Sequence, residues 1–187
     1  NGADQLGASM LQFTIKNNER HSTASAFLKP VLKRSNLTVQ TGCHVKRIII
    51  SDGRATGVEV LVSKGKLETY SCSREVVLSA GAIQSPQLLM LSGIGDRDLL
   101  DRFGIPVVKH LPGVGKNLQD HIWSGVSGYT NIPMGNSLIR PWPMFKALIQ
   151  HLFTKKGPLG NSPLEANAFL KSGPSLARPD IQFHMAP

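Results

Sequence analysis

Cysteine is nearly absent from this chain, with only Cys43 and Cys72 in 187 residues. They form no CxxC pair and have no neighbouring His pair at zinc spacing, so a disulfide framework and a structural zinc are both excluded, and two buried, reduced thiols are expected. Acidic residues are also few, 12 against 21 Lys and Arg, and aromatics make up only 6%. A formal charge of +9 raises nucleic acid as a partner through phosphate neutralisation. The cations are scattered, however. Lys29 to Arg34, Lys46-Arg47 and Lys155-Lys156 lack interleaved aromatic rings for stacking bases, so no nucleic-acid partner is expected. No apolar run approaches the roughly 18 residues of a membrane span, and the opening NGADQLGASM has neither a basic leader nor an apolar core. No transmembrane segment and no signal peptide are expected, and the cytoplasm is the favoured location.

Several catalytic motifs are missing as well. There is no GxSxG elbow, so serine hydrolysis finds no support. His21, His44, His110, His151 and His184 show no metal-ligand spacing, so no metal is expected. Gly113-Val114-Gly115-Lys116-Asn117-Leu118 is the nearest approach to a GxGxxG dinucleotide fingerprint, but its sixth position is leucine and Pro112 breaks the strand that should precede it.

What is present is 41% hydrophobic content, ordinary for a folded core and enough for one domain or for a domain with part of another. The start at Asn1-Gly2 and the end in a strand-like IQFHMAP read as a piece of a longer chain. Strands and helices alternate, which places the chain in the α/β or α+β class. Ser22-Thr23 caps a helix carrying Phe27, Leu28, Val31 and Leu32, interrupted at Pro30. NLTVQ (36–40), VKRIII (45–50) and residues 56–62 are strand-like, with turns at Ser51-Asp52-Gly53-Arg54 and Lys64-Gly65-Lys66. Residues 46–72 thus form a small antiparallel meander. A short helix capped by Asp96 runs to Phe103, Gly104 stops it, and a strand follows at 105–108. After His121 the composition shifts toward Gly, Pro, Asn and Trp. A helix is expected over 143–153 and strands over 165–170 and 180–185. The domain boundary falls near Ile122, giving domains 1–121 and 122–187.

The most informative stretch is REVVLSAGAIQSPQLLMLSGIG, Arg74 to Gly95. Val76 to Ala80 reads as a short buried strand of a parallel sheet, whose carboxyl end is where a ligand binds. Ser79-Ala80-Gly81 stands there, small enough for a phosphate or ribose to lie against the backbone. Ser85-Pro86 opens a helix, Leu88, Leu89 and Leu91 form its buried stripe, and Gly93 stops it. From periodicity alone an ordinary βα turn and a ligand-holding turn are equal readings.

Gly81-Ala82, Ser85-Pro86, Leu88-Leu89 and Ser92-Gly93-Ile94-Gly95, at these spacings, resemble the second signature of the glucose-methanol-choline (GMC) family of FAD-dependent alcohol oxidoreductases. The resemblance extends through RHSTASAFLKP (20–30), Val45 to Ile48, Gly57 to Glu59 and LPGVGKNLQDH (111–121). PDIQFH (179–184) is similar to a substrate-domain strand of choline-dehydrogenase-like members. The resemblance implies part of a Rossmann-like FAD-binding domain with an antiparallel meander, followed by the start of a sheet-based substrate domain.

It also implies the chemistry. Family members oxidise a small-molecule primary alcohol to an aldehyde, passing hydride to flavin N5 and then electrons to oxygen or a quinone. The base is a histidine expected beyond Pro187, and the main pyrophosphate loop is expected upstream of Asn1, so no catalytic residue is named and weak FAD binding by this piece alone is expected. The cofactor-binding candidates are Val45, matching a valine whose backbone contacts adenine, then Ser79, Ala80, Gly81 and Asn117. Val45 reads equally as a plain core valine. The run Asn117 to His121 is read as a loop tether, with His121 a lone satisfied histidine. Trp123 and Trp142 either wall a substrate pocket or pack between sheet and helix. The alternative reading is a non-redox FAD- or nucleotide-binding module of the same ancestry.

Overall fold

The structure is a computed structural model that describes residues 4–132 and 135–185; Asn1, Gly2 and the last two residues of the IQFHMAP run lie outside these. In chain order the elements are β1 (Gly7–Met10), β2 (Ile15–Lys16), β3 (Glu19–Arg20), β4 (His44–Ser51), β5 (Arg54–Val62), β6 (Lys66–Ser71), α1 (Gly81–Leu91), β7 (Ile94–Gly95), α2 (Arg97–Arg102), β8 (Lys109–His110), α3 (Pro141–Thr154), β9 (Ala166–Leu170) and β10 (Ile181–His184). Helices and antiparallel sheets are mixed, as the α/β reading requires, and the short β7–β8 pair is parallel. The chain divides into two compact units, Thr38–Gly125 and Asn1–Leu37 with Val126–Pro187.

In the unit Thr38–Gly125 the meander forms as expected, in the order β4-β5-β6. Asp52 (φ 51°) and Gly53 (φ 74°) make the left-handed two-residue turn that suits strand twist, and β4 folds back on β5 across it. Val60 on the central strand and Ile48 on β4 are 4% and 8% exposed, the core of the sheet. A register shift between Val45 and Arg47 bulges β4 near its start. β4 is an edge strand, and α1 packs beside it. The bond between them is made by Ser92, whose hydroxyl accepts from the Ile48 N–H at 2.8 Å and donates to the Leu88 carbonyl at 2.6 Å.

Five local features differ from the sequence expectation. Helix α1 begins at Gly81, four residues before Ser85, and Pro86 lies inside it. The Ser85 hydroxyl accepts from the Ala80 N–H at 3.1 Å instead of capping a new helix. Leu91 is 46% exposed, so the apolar stripe of α1 is only partly covered. The strand expected at 105–108 appears at Lys109–His110, because Pro106 has no N–H to give and the ladder starts where Val108 and Lys109 both donate to the Gly93 carbonyl, at 2.8 and 3.1 Å. Residues 36–40 and 76–80 are not strands. No described strand pairs with either run, so their backbone groups join no ladder.

The Asp96 cap is as read: its carboxylate accepts from the Asp98 N–H at 3.1 Å, and Leu100 of α2 is 1% exposed. Cys43 and Cys72 are free but half-buried rather than buried.

In the second unit β9 is flanked by β1 and β10, pairing Met10 with Ala166 and Ile181 with Leu170. The expected strands and helix are therefore present, with α3 slightly longer than read. Residues 24–28 form a wide π turn that tightens to a 3-10 turn over 29–31, the interruption expected at Pro30. The strands β1, β2 and β3 have no counterpart in the sequence reading. No described helix is long and apolar enough to cross a membrane.

Candidate functional site

The start of β4, Val58 of β5, the run 76–80 and one face of α1 line a groove of about 590 Å³. Val45, Ser79 and Ala80 all line it, so three of the five candidate residues share one wall system although 34 positions separate the first from the second. Val45 is 36% exposed and faces the groove from the bulged start of β4. Gly81 follows directly and opens α1 with φ +89°. A Cβ there would meet no atom within 4 Å, so the glycine is required by its backbone conformation and not by lack of space.

Further lining comes from Cys43, from His44 and Lys46 on β4, from Val58 on β5 and from Gln84, Gln87, Leu88 and Leu91 on α1. The sequence reading did not single out Gln84 and Gln87. Their i, i+3, i+4, i+7 spacing with Leu88 and Leu91 is the signal that marks one helix face. Residues 73 and 74 are held as the chain enters the groove, since the Arg54 guanidinium donates to the carbonyls of Ser73 and Arg74 at 2.8 and 3.3 Å.

Asn117 is not brought to this groove. It lines a separate hollow of about 790 Å³, where Ile83, Pro86 and Met90 of α1 meet residues 115–119. Its side-chain oxygen accepts from the Gln119 amide at 2.9 Å. The side chains of Asp120 and His121 are 97% exposed, and the His121 backbone N–H donates to the Asp120 carboxylate at 2.8 Å. The tether expected of this run is supplied by Lys116, whose ammonium lies 2.7 Å from the Asp96 carboxylate. That bond, with the Asp98 and Leu99 N–H groups, holds the Asp96 carboxyl below the usual aspartate range. Among the described residues no group of three or more His, Cys, Asp or Glu is placed to hold a metal ion.

The family model for GMC oxidoreductases matches residues 1–123. The chain belongs to the GMC oxidoreductase family. Family members are FAD-binding flavoproteins. Mitochondrial choline dehydrogenase of Mus musculus is 42% identical over all of this chain, which covers 31% of that protein. An oxygen-dependent choline dehydrogenase of Rhizobium etli is 43% identical, again over all of this chain and 34% of the relative. This GMC chain therefore spans about a third of the length of these curated relatives. Among solved structures, a formate oxidase aligns with TM-score 0.74 and 31% identity over 87% of this chain and 28% of its own. A fungal aryl-alcohol oxidase aligns with TM-score 0.78 and 27% identity over 90% and 30%.

The groove has the chemistry for one end of such a cofactor. Val45, Leu88 and Ala80 offer apolar surface to a flat base, while the Ser79 hydroxyl and the Gln84 and Gln87 amides offer both donors and acceptors to ring edges and ribose.

Proposed function

We propose that the intact protein is an FAD-dependent oxidoreductase acting on the CH–OH group of a primary alcohol, choline or a choline-like compound, with oxygen or a quinone as final acceptor. The observation that carries the reading is the convergence of Val45, Ser79 and Ala80 on one groove beside the family signature helix. In this reading the groove receives the adenine end of FAD. Val45 and Leu88 bracket the base, and Ser79 to Gly81 lie against the ribose or phosphate where larger side chains would intrude. Bound FAD supplies the hydride acceptor at flavin N5. This chain's own share of the work is to hold the remote end of the cofactor, so that the reacting end is presented in a fixed position. Asn117, on the far side of α1, contributes to the cofactor site through its own hollow. The choline assignment rests on the names of the relatives, and the organisation into an FAD-binding part, 1–121, and the start of a substrate part, 122–187, belongs to the same proposal.

The test is the visible absorbance of the full-length protein as purified, followed by anaerobic addition of choline and a panel of simple alcohols. Flavin bands that bleach with choline are the expected result. A colourless protein that cannot be reconstituted with FAD overturns the assignment in favour of a non-redox module.

A further inference from the structure

The signature serine at the end of α1 has a geometry that its place as a helix stop does not require. Ser92 is 7% exposed, and its single hydroxyl is engaged in both directions, accepting from the Ile48 N–H at 2.8 Å and donating to the Leu88 carbonyl at 2.6 Å. The two partners are not arbitrary. Leu88 lines the groove from α1, and Ile48 is three residues along β4 from Val45, which lines it from the opposite wall.

Ile48 is itself 8% exposed and lies just past the bulge at Val45 and Arg47. Across that shift Val45 keeps Val60 of β5 as its partner on one edge of β4, and what remains to be fixed is the other edge. That edge has no neighbouring strand in the order β4-β5-β6, and a buried N–H there needs an acceptor. Ser92 is that acceptor. We propose that Ser92 is a positioning residue for the adenine end of FAD: its hydroxyl sets the separation of the β4 and α1 walls and so preorganises the groove. This inference rests on the reading that the groove receives the adenine end.

The experiment uses the full-length apoprotein titrated with FAD and with FMN, which carries the same reacting ring but no adenine half, each followed by flavin fluorescence. Ser92→Ala should weaken FAD binding about tenfold, the scale of a lost preorganised contact surface. FMN affinity should stay within about twofold. A merely structural serine would lower both affinities together or neither, and either result overturns the proposal. Should the alanine variant not accumulate, Ser92→Cys keeps the volume but offers a poor acceptor and gives the same comparison. Ala80→Phe, which fills the groove directly, tests the underlying reading. If Ala80→Phe lowers FAD affinity relative to FMN while both Ser92 variants leave that ratio alone, only the positioning role fails. If Ala80→Phe also leaves the ratio unchanged, the groove is not the adenine site and the reading on which the role rests fails with it.

Discussion

Two segments of the same unit carry nearly the same strand-forming composition and end in opposite states. In the meander, Arg54–Val62 is a nine-residue strand with Val60 4% exposed. Fourteen residues after that strand ends, Val76-Val77-Leu78 belongs to no strand, and Val77 is 76% exposed. Intrinsic preference does not separate them, since β-branched and aliphatic residues favour a pleated, half-buried surface in both. What separates them is the sequence distance to a partner. β5 finds β4 across a two-residue turn and β6 across a short 3-10 turn, so both ladders close locally at little loop entropy. The 76–80 run has no hairpin neighbour and needs strands brought to it from elsewhere. A strand is a property of a pair, and here only one of the two segments has its pair.

The largest effect should come from breaking the meander at Gly57, where a side chain would meet the neighbouring backbone. A Cβ on Gly57 would lie 2.4 Å from the Tyr70 carbonyl oxygen across the β5–β6 ladder, and a backbone atom cannot rotate away. Gly57→Ala should therefore cost about 3 kcal/mol, read as a lowered urea midpoint with an unchanged slope. Next in size is a matched pair. Val60→Ala removes two buried methyl groups and leaves a small cavity, for about 2 kcal/mol. Val77→Ala in this chain should change stability by less than about 0.5 kcal/mol, as for an exposed side chain. Repeating Val77→Ala in the full-length protein sharpens the contrast. A cost there close to that of Val60→Ala shows that the run acquires partners, and no cost shows that it stays unpaired.

The same distinction explains what could be read in advance. Asp52-Gly53 and the strands on either side were legible, because turn chemistry and pairing lie within a dozen residues. The Asp96 cap and the end of α1 near Gly93 were legible for the same reason. β1 was not, since GASM shows no alternation and its pairing with β9 joins Met10 to Ala166. Ser85-Pro86 was misread because serine before proline ordinarily opens a helix. Here Gly81 takes the positive φ that starts α1, and the first helical turns precede the proline, which gives up one N–H inside the helix. Of the candidate site, the small-residue turn could be named from sequence, and Val45 only through its family resemblance. That Asn117 lies apart, across α1, depends on the packing of a helix between two loops, which no local pattern encodes.

Gly81 separates conformational from spatial demands within the groove. Valine at φ +89° is strained whatever the room around it, by about 1–3 kcal/mol. Gly81→Val should weaken FAD binding to the full-length protein roughly tenfold while leaving the meander untouched. Unchanged flavin occupancy would remove Gly81 from the site.

The smallest effect concerns a loop that closes with a charge in place of a longer ladder. Residues 111–119 are held to the α2 cap by Lys116 on Asp96, at 2.7 Å. Because the folded Asp96 carboxyl is held below its ordinary value, first by that bond, the stabilisation is fully present above the usual aspartate range. It is lost as pH falls through that range to the lowered value. Asp180, in the other unit, is also held low, but by the hydroxyl and N–H of Ser172, at 2.6 and 2.8 Å. Lys116→Met should therefore raise the carboxyl titration of Asp96 toward the ordinary value and leave Asp180 where it is, as followed by carboxyl carbon chemical shifts across the acid range. Added salt should move Asp96 in the same direction, because the lysine side chain is 60% exposed and its charge is screened. Asp180, held by neutral groups, should not respond. An Asp96 that ignores both the substitution and the salt would show that the backbone N–H groups of the cap, and not the ion pair, set its charge and hold the loop.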